Sequence, residues 1–205
     1  MGTRSYIVVL TAVLLLEGAC RRELSFEGWL HYLSNPANGL VQERSAGGMH
    51  FRMKYLPPTY FAWRDTKAAI QPVNTDSLLA LYTHSLTFLL TMEPAKGQQF
   101  DVTRTGVNNY KEFGDRIMAM SFGLAEDLRL EAGGATIPAA LAQMEQTYGL
   151  EQGRNVLVVF PSALPGQDFD VLFTDRIFGT GIHRFHFDDR ALQGIPALTL
   201  TNTNR

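Results

Sequence analysis

The chain has 205 residues, of which 45% are hydrophobic and 19% charged, and its formal net charge is −2. This composition is typical of a globular protein and excludes disordered and collagen-like chains. Because basic residues are not in excess, no global positive field exists to hold nucleic acid, and we expect no nucleic-acid partner.

Residues 1–20 contain the three parts of a secretory signal. Arg4 supplies a positive start, Tyr6–Leu16 is an apolar run interrupted only by Thr11, and Gly18 and Ala19 are small. A helix of such a run rises about 16 Å, well short of the hydrocarbon core of about 30 Å. The sequence therefore predicts a cleaved signal peptide over residues 1–19 rather than a transmembrane anchor.

Cys20 is the single cysteine of the chain, so no intramolecular disulfide forms. Together with Leu16, Gly18 and Ala19 it resembles the lipobox of bacterial lipoprotein precursors. Glu17 departs from that pattern, because the family usually has leucine there. The resemblance implies diacylglycerol on the Cys20 sulfur, an acylated new N-terminus and attachment to the lipid bilayer, since several acyl chains suffice for stable anchoring.

The residues after Cys20 predict where the protein sits in the cell. Arg21 stands where an aspartate in the lipoprotein family favours inner-membrane retention, so the resemblance favours the outer membrane of the bacterial cell envelope. Residues 20–24 form a short tether, and residues 25–205 form a single predicted domain. Arg21 and Arg22 then lie close to anionic lipid headgroups.

The first elements of the predicted domain are a helix and a strand pair. Ser25 is a good N-cap for a helix that ends at Ser34, before Asn35-Pro36. Two strands follow over Leu40–Arg44 and Met49–Tyr55, joined by residues 45–48. The alternation within the second strand predicts one buried and one solvated face.

Helices dominate the predicted middle of the chain. Helices are expected over Thr59–Ala69, Thr75–Tyr82 and Asn108–Met120, the last from apolar residues at three- and four-residue spacing. A single strand, Ser85–Met92, lies between them.

The last third is mostly strand. Strands are predicted over Asp127–Ala132, Arg154–Phe160, Phe169–Phe173 and Gly181–Phe187. Residues 136–148 fit strand or helix, and the composition of Ala139–Met144 favours helix. Together the elements predict an α+β fold with an antiparallel, sandwich-like β-sheet and a few short helices.

A group of aromatic side chains flanks Pro57-Pro58 and consists of Tyr55, Tyr60, Phe61 and Trp63. Such residues line grooves for glycans or peptides, and they also fill cores. The interpretation as core packing is favoured, with a ligand or partner surface as the alternative.

His183, His186, Asp188 and Asp189 form the most metal-like cluster in the sequence. In a strand, however, His183 and His186 point to opposite faces. His183 then shares a face with Phe185 and Phe187, while His186 lies on a solvated face. We therefore expect no metal and no other cofactor, and keep His183 and His186 as the only candidate ligands.

Other catalytic patterns are absent from the sequence. Asp168, Asp170 and Asp175 lack the spacing of a calcium loop, and Gly179-Thr180-Gly181 lacks the lysine of a phosphate loop. No G-x-S-x-G, S-x-x-K or H-E-x-x-H motif occurs, so an enzymatic role is disfavoured.

Short motifs of the mature chain, YLSNPANGLVQE at 32–43, TYGL at 147–150 and IFGTG at 177–181, are similar to a group of Gram-negative lipoproteins without an assigned activity. The predicted function is a membrane-anchored envelope lipoprotein, acting as a non-enzymatic accessory or assembly subunit whose partners are other envelope proteins. The alternatives are a lipoprotein that binds a glycan, peptide or lipid, and a metal-dependent hydrolase that uses His183 or His186.

Overall fold

The computed structural model describes residues 24–71, 73–145, 151–163 and 166–198. The predicted signal peptide, Cys20 and the TYGL motif lie outside these residues. The described helices are α1 (Phe26–Ser34), α2 (Pro58–Ala68), α3 (Thr75–Tyr82), α4 (Tyr110–Met118) and α5 (Asp189–Gln193). The described strands are β1 (Val41–Ala46), β2 (Met49–Leu56), β3 (Leu86–Pro94), β4 (Leu128–Ala132), β5 (Ala135–Pro138), β6 (Leu141–Met144), β7 (Arg154–Phe160), β8 (Phe169–Asp175) and β9 (Gly181–Phe187).

The strands form two antiparallel sheets, with the orders β1-β2-β3-β7-β6 and β5-β4-β8-β9. The predicted α+β, sandwich-like fold is confirmed. Alternate residues of each strand point into the space between the sheets, as the period of two requires. In β2, for example, Met49, Phe51, Met53 and Tyr55 are buried, whereas the residues between them are partly exposed.

Aromatic rings join the two sheets across the core. Phe51 of β2 lies 5.8 Å from Phe173 of β8, measured between ring centroids. Phe88 of β3 lies 6.2 Å from Phe169 and 5.1 Å from Phe187. Offset and edge-on pairs at such distances add about 0.5–1.5 kcal/mol each beyond the burial of their area.

The chain passes from one sheet to the other at Ala139-Ala140. The Ala139 N–H donates to the Leu128 carbonyl in β4 (3.1 Å), and the next N–H, of Ala140, donates to the Val159 carbonyl in β7 (2.8 Å). The favoured helix over Ala139–Met144 is therefore wrong. The helix preference of alanine is less than 1 kcal/mol per residue. It is outweighed here because the backbone N–H groups of this segment form hydrogen bonds with carbonyl groups of the two sheets.

Helix α4 is shorter than predicted and continues into irregular helical turns. It begins at Tyr110, where the Asn109 side chain accepts from the Glu112 N–H at 3.0 Å, and it ends at Met118. A π-helical turn over Ala119–Gly123 and a 3₁₀ turn over Leu124–Asp127 follow. These turns place Met120 and Leu124 in the core, where both are fully buried.

Helix α1 ties the beginning of the described chain to its end. Ser25 caps it as predicted, by accepting from the Gly28 N–H at 3.2 Å. Trp29 and Leu33 are fully buried, and the Trp29 indole donates to the Pro196 carbonyl at 2.9 Å. None of the helices described here combines the length and the apolar character that spanning a membrane requires.

Candidate functional site

The four predicted aromatic residues do not share one surface. Tyr55 and Phe61 are buried in the protein, with 1% and 5% of their surface exposed. Tyr60 packs edge-on against Phe61 at 5.3 Å, and Trp63 stacks on Phe26 of α1 at 3.5 Å between centroids. Trp63 therefore holds α2 against α1.

Tyr55 nevertheless forms part of a groove. The groove has a volume of about 650 Å³ and lies between Tyr55, Pro57, Pro58 and Thr59 on one side and residues 192–198 on the other. Of the predicted aromatic group, only Tyr55 lines it. The Tyr55 hydroxyl is protonated and can donate a hydrogen bond at neutral pH, and burial raises the pKa of the phenol further above that range.

His183 points into the sandwich, as the alternation predicted. Its ring lies 4.4 Å from the Phe51 ring, and only 6% of its surface is exposed. Its Nε2 atom lies 2.7 Å from Thr180 Oγ1. The Thr180 hydroxyl donates its single proton to the Asp175 carboxylate, so Nε2–H of His183 is the donor to Thr180.

If Thr180 were a nucleophile, His183 would act as the base and accept the proton of the Thr180 hydroxyl. The observed direction of donation is the reverse. Burial lowers the pKa of His183 and the charge of Arg44 adds to this effect, while Asp175 opposes it. The neutral imidazole is thus favoured as a fixed structural donor.

Asp175 organises the loop between β8 and β9. Its buried carboxylate accepts from the backbone N–H groups of Ile177 (3.0 Å), Phe178 (2.9 Å) and Thr180 (3.0 Å). The IFGTG motif is therefore a loop wrapped around one carboxylate. Asp175 is itself the last residue of β8.

His186 lies on the opposite face of β9, away from His183. Three residues bring ligand atoms within 4.8 Å of one another, namely Asp168, His186 and Asp188. The register of the β8–β9 ladder creates this cluster, because Phe169 pairs with Phe187 and Asp170 with His186. The sequence cluster of His183, His186, Asp188 and Asp189 did not include Asp168, because its proximity to His186 depends on that register.

A polar cleft of about 530 Å³ lies between α4, the following turns and the β8–β9 loop. Its two arginines already have partners. Arg176 pairs with the buried Asp127, and Arg116 donates to the carbonyls of Val102 (3.3 Å) and Thr105 (3.1 Å). These contacts connect the β8–β9 loop to the 3₁₀ turn before β4, and α4 to residues 102–105.

A row of exposed apolar residues follows α4 and the π turn. We call Tyr110, Gly114, Met118 and Phe122 the α4 stripe, because they recur at every fourth residue. Tyr110 is 96%, Met118 59% and Phe122 75% exposed. Sequence periodicity located the helix, and Tyr110 was one of the apolar residues at three- and four-residue spacing on which that prediction rested.

Comparison with known proteins does not assign the chain to a family. No family model and no curated protein matches it. Among solved structures, it is similar to a DUF4426 family protein from Pseudomonas aeruginosa PAO1, with a TM-score of 0.35 and 11% sequence identity. That likeness covers 73% of this chain and 92% of the other.

Proposed function

We propose that this protein is an envelope lipoprotein, held on the outer membrane by acylated Cys20, and that its folded part is a non-enzymatic accessory subunit that binds another envelope protein. The anchor rests on the lipobox-like residues of the N-terminus. The binding role rests on the α4 stripe, which is the single observation that carries it.

The proposed anchor places the folded part close to the lipid. Leu24 already packs against the hydrophobic core, and α1 begins two residues later. Few residues therefore separate Cys20 from the sandwich. A subunit held in this way meets other envelope proteins at high local concentration, which strengthens binding without any additional contact.

The chemistry of the α4 stripe suits a protein partner. Tyrosine, phenylalanine and methionine are enriched at the centres of protein interfaces. The stripe has a charged rim, in which Lys111 and Asp115 pair at 2.7 Å. An apolar centre with a polar rim is the common layout of such interfaces, whereas a lipid-binding helix carries mainly basic residues on its polar face.

Affinity purification from cross-linked envelopes tests this role. A Met118→Asp/Phe122→Asp variant is compared with the wild type and with an Ile70→Asp/Leu81→Asp control, which changes two exposed apolar residues outside the stripe. We expect the stripe variant to recover at least about tenfold less of a specific envelope protein, because loss of an interface hot spot costs about 2 kcal/mol or more. Equal recovery by all three proteins would contradict the proposal.

The groove beside Tyr55 supports a second candidate function, the binding of a peptide or glycan. It has a suitable volume and combines prolines with a hydroxyl donor. A Thr59→Trp variant fills the groove from one wall, and Tyr55→Phe removes the hydroxyl. Thermal-shift screening with short peptides and envelope glycans should identify a ligand that stabilises the wild type but neither variant. A ligand that stabilises all three proteins equally would exclude the groove as its binding site.

A further inference from the structure

We propose that Asp168, His186 and Asp188 bind a divalent transition-metal ion, with Zn²⁺ as the reference ion, at the end of the β8–β9 ladder. The three residues come from two strand ends and the loop before α5. They are separate from the α4 stripe and from the Tyr55 groove.

The spacing of the ligand atoms fits a metal site. All three residues offer atoms within 4.8 Å of one another, and His186 Nε2 lies 3.6 Å from Asp188 Oδ1. Zinc bonds of about 2.0–2.2 Å in a tetrahedral arrangement place neighbouring ligand atoms about 3.3 Å apart. Binding therefore requires side-chain shifts of only a few tenths of an ångström for this pair.

His186 is already oriented for metal binding by a residue outside the ligand set. Its Nδ1 atom lies 2.9 Å from Asp170 Oδ1, so Nδ1–H donates to that carboxylate. Nε2, the nitrogen that keeps its lone pair, then lies 3.6 Å from Asp188 Oδ1. Metal-bound histidines nearly always have such a carboxylate or carbonyl partner at the other nitrogen, which fixes the tautomer and the ring orientation.

The position of Asp170 is itself fixed. It pairs with Arg184, which also lies 3.5 Å from Glu131 of β4. Arg184 thus balances the charge of Asp170. In the described part of the chain, no lysine or arginine forms an ion pair with Asp168 or Asp188, so negative charge accumulates where a cation would bind.

Asp189, at the start of α5, helps to position Asp168. Its Oδ2 atom accepts from the Gln193 side chain. Asp189 Oδ1 is inaccessible to solvent and has no hydrogen-bond partner among the described residues. The Asp189 backbone N–H donates to Asp168 Oδ1 at 2.9 Å, which places this residue at the cluster. This bond holds the Asp168 carboxylate beside His186 and Asp188.

The remaining coordination positions are open. Asp168, Asp170, His186 and Glu131 line a cleft of about 430 Å³ beside the β4–β5 turn. The His186 and Asp188 side chains are 52% and 64% exposed, so water or a small ligand has access. One imidazole and two carboxylates suit Zn²⁺ and similar ions better than Ca²⁺, which prefers six to eight oxygen ligands.

Titration calorimetry of the full-length chain in detergent, with Zn²⁺ alone, tests the proposal. The wild type should bind one equivalent. His186→Ala and Asp188→Asn should weaken binding at least about 100-fold, and Asp170→Asn, which leaves the three ligands in place, about 10- to 100-fold. Circular dichroism verifies that each variant is folded.

His84→Ala is the matched control, because His84 is an exposed histidine far from this ladder in sequence. It should bind as the wild type does. The proposal is overturned if the wild type takes up no stoichiometric Zn²⁺, or if His84→Ala and His186→Ala reduce binding equally. Stronger binding of Ca²⁺ than of Zn²⁺ would overturn the assignment to a transition metal.

Discussion

Thr180 lies directly against Gly47, so that the β8–β9 loop rests on the turn of the β1–β2 hairpin. A Cβ atom added to Gly47 would lie 2.7 Å from Thr180 Cγ2. Gly47 and Gly48 also have φ angles of 58° and 80°, as a two-residue hairpin turn requires. The hairpin and the loop around Asp175 therefore stabilise each other.

Gly47→Ala should destabilise the protein more than Gly48→Ala. Both variants force a side chain into the left-handed region, at a cost of about 1–2 kcal/mol. Only Gly47→Ala adds an overlap with Thr180, since a Cβ at Gly48 meets nothing within 4 Å. We expect an additional loss of about 1–3 kcal/mol in the free energy of unfolding, measured by urea denaturation. Equal losses would show that the contact with Thr180 is unimportant.

Asp175→Asn should loosen the β8–β9 loop. The carboxylate accepts from three backbone N–H groups and from the Thr180 hydroxyl. In asparagine one of the two oxygens is replaced by an NH₂ group, which cannot accept these hydrogen bonds. The free energy of unfolding should fall by about 1–3 kcal/mol. Hydrogen exchange of the Phe178 and Thr180 amides should accelerate, whereas the control Asp115→Asn, in an exposed pair, should leave these rates unchanged.

The stability of the protein should decrease as the pH falls from about 7 to 5, in part because of His183. Its pKa in the folded protein is lowered by burial from the ordinary value of 6.5, and Arg44 contributes to the shift. The unfolded chain therefore binds more protons than the folded one in this range, and acidification favours unfolding. His183→Gln should flatten the dependence, and the exposed His84→Gln should not. A slope that is identical in both variants would contradict this explanation.

A hydrogen bond joins the helix pair α2 and α3. The Tyr82 hydroxyl donates to Asp65, and this bond raises the pKa of Tyr82. Burial acts to raise the pKa of Asp65, but hydrogen bonds from Tyr82 and Arg64 outweigh it and lower that pKa. Tyr82→Phe should therefore raise the Asp65 pKa, measured by NMR titration, and cost about 1–2 kcal/mol of stability.

Tyr110→Phe is the control for that experiment, because Tyr110 is 96% exposed. It should leave the Asp65 pKa and the free energy of unfolding unchanged. An unaltered Asp65 pKa in Tyr82→Phe would show that the contact is not maintained in solution.

Elements with a strong local signal could be predicted from the sequence. Ser25 marked the start of α1, and the alternation in Met49–Tyr55 and Gly181–Phe187 assigned each residue to the correct face. The corner at Ala139-Ala140 could not be predicted in this way. Its two N–H groups bond to carbonyls of β4 and β7, which belong to different sheets and lie outside any local sequence pattern.

The arrangement of the polar residues was likewise predictable only where it depends on local sequence. The separation of His183 from His186 followed from the period of a strand. The approach of Asp168 to His186 and Asp188 depends on the β8–β9 register, which a single sequence does not specify across the five-residue connection 176–180. Similarly, Phe122 of the α4 stripe lies in the π turn that follows Met118, and the three- and four-residue spacing of a regular helix does not predict such a turn.

Cys20 is proposed to carry a lipid that holds this fold at the envelope. The most direct test is the intact mass of the mature protein extracted from membranes, compared with Cys20→Ala. The proposal predicts loss of residues 1–19 together with added acyl mass in the wild type, and neither change in the variant. An uncleaved chain, or a cleaved chain without acyl mass, would contradict it.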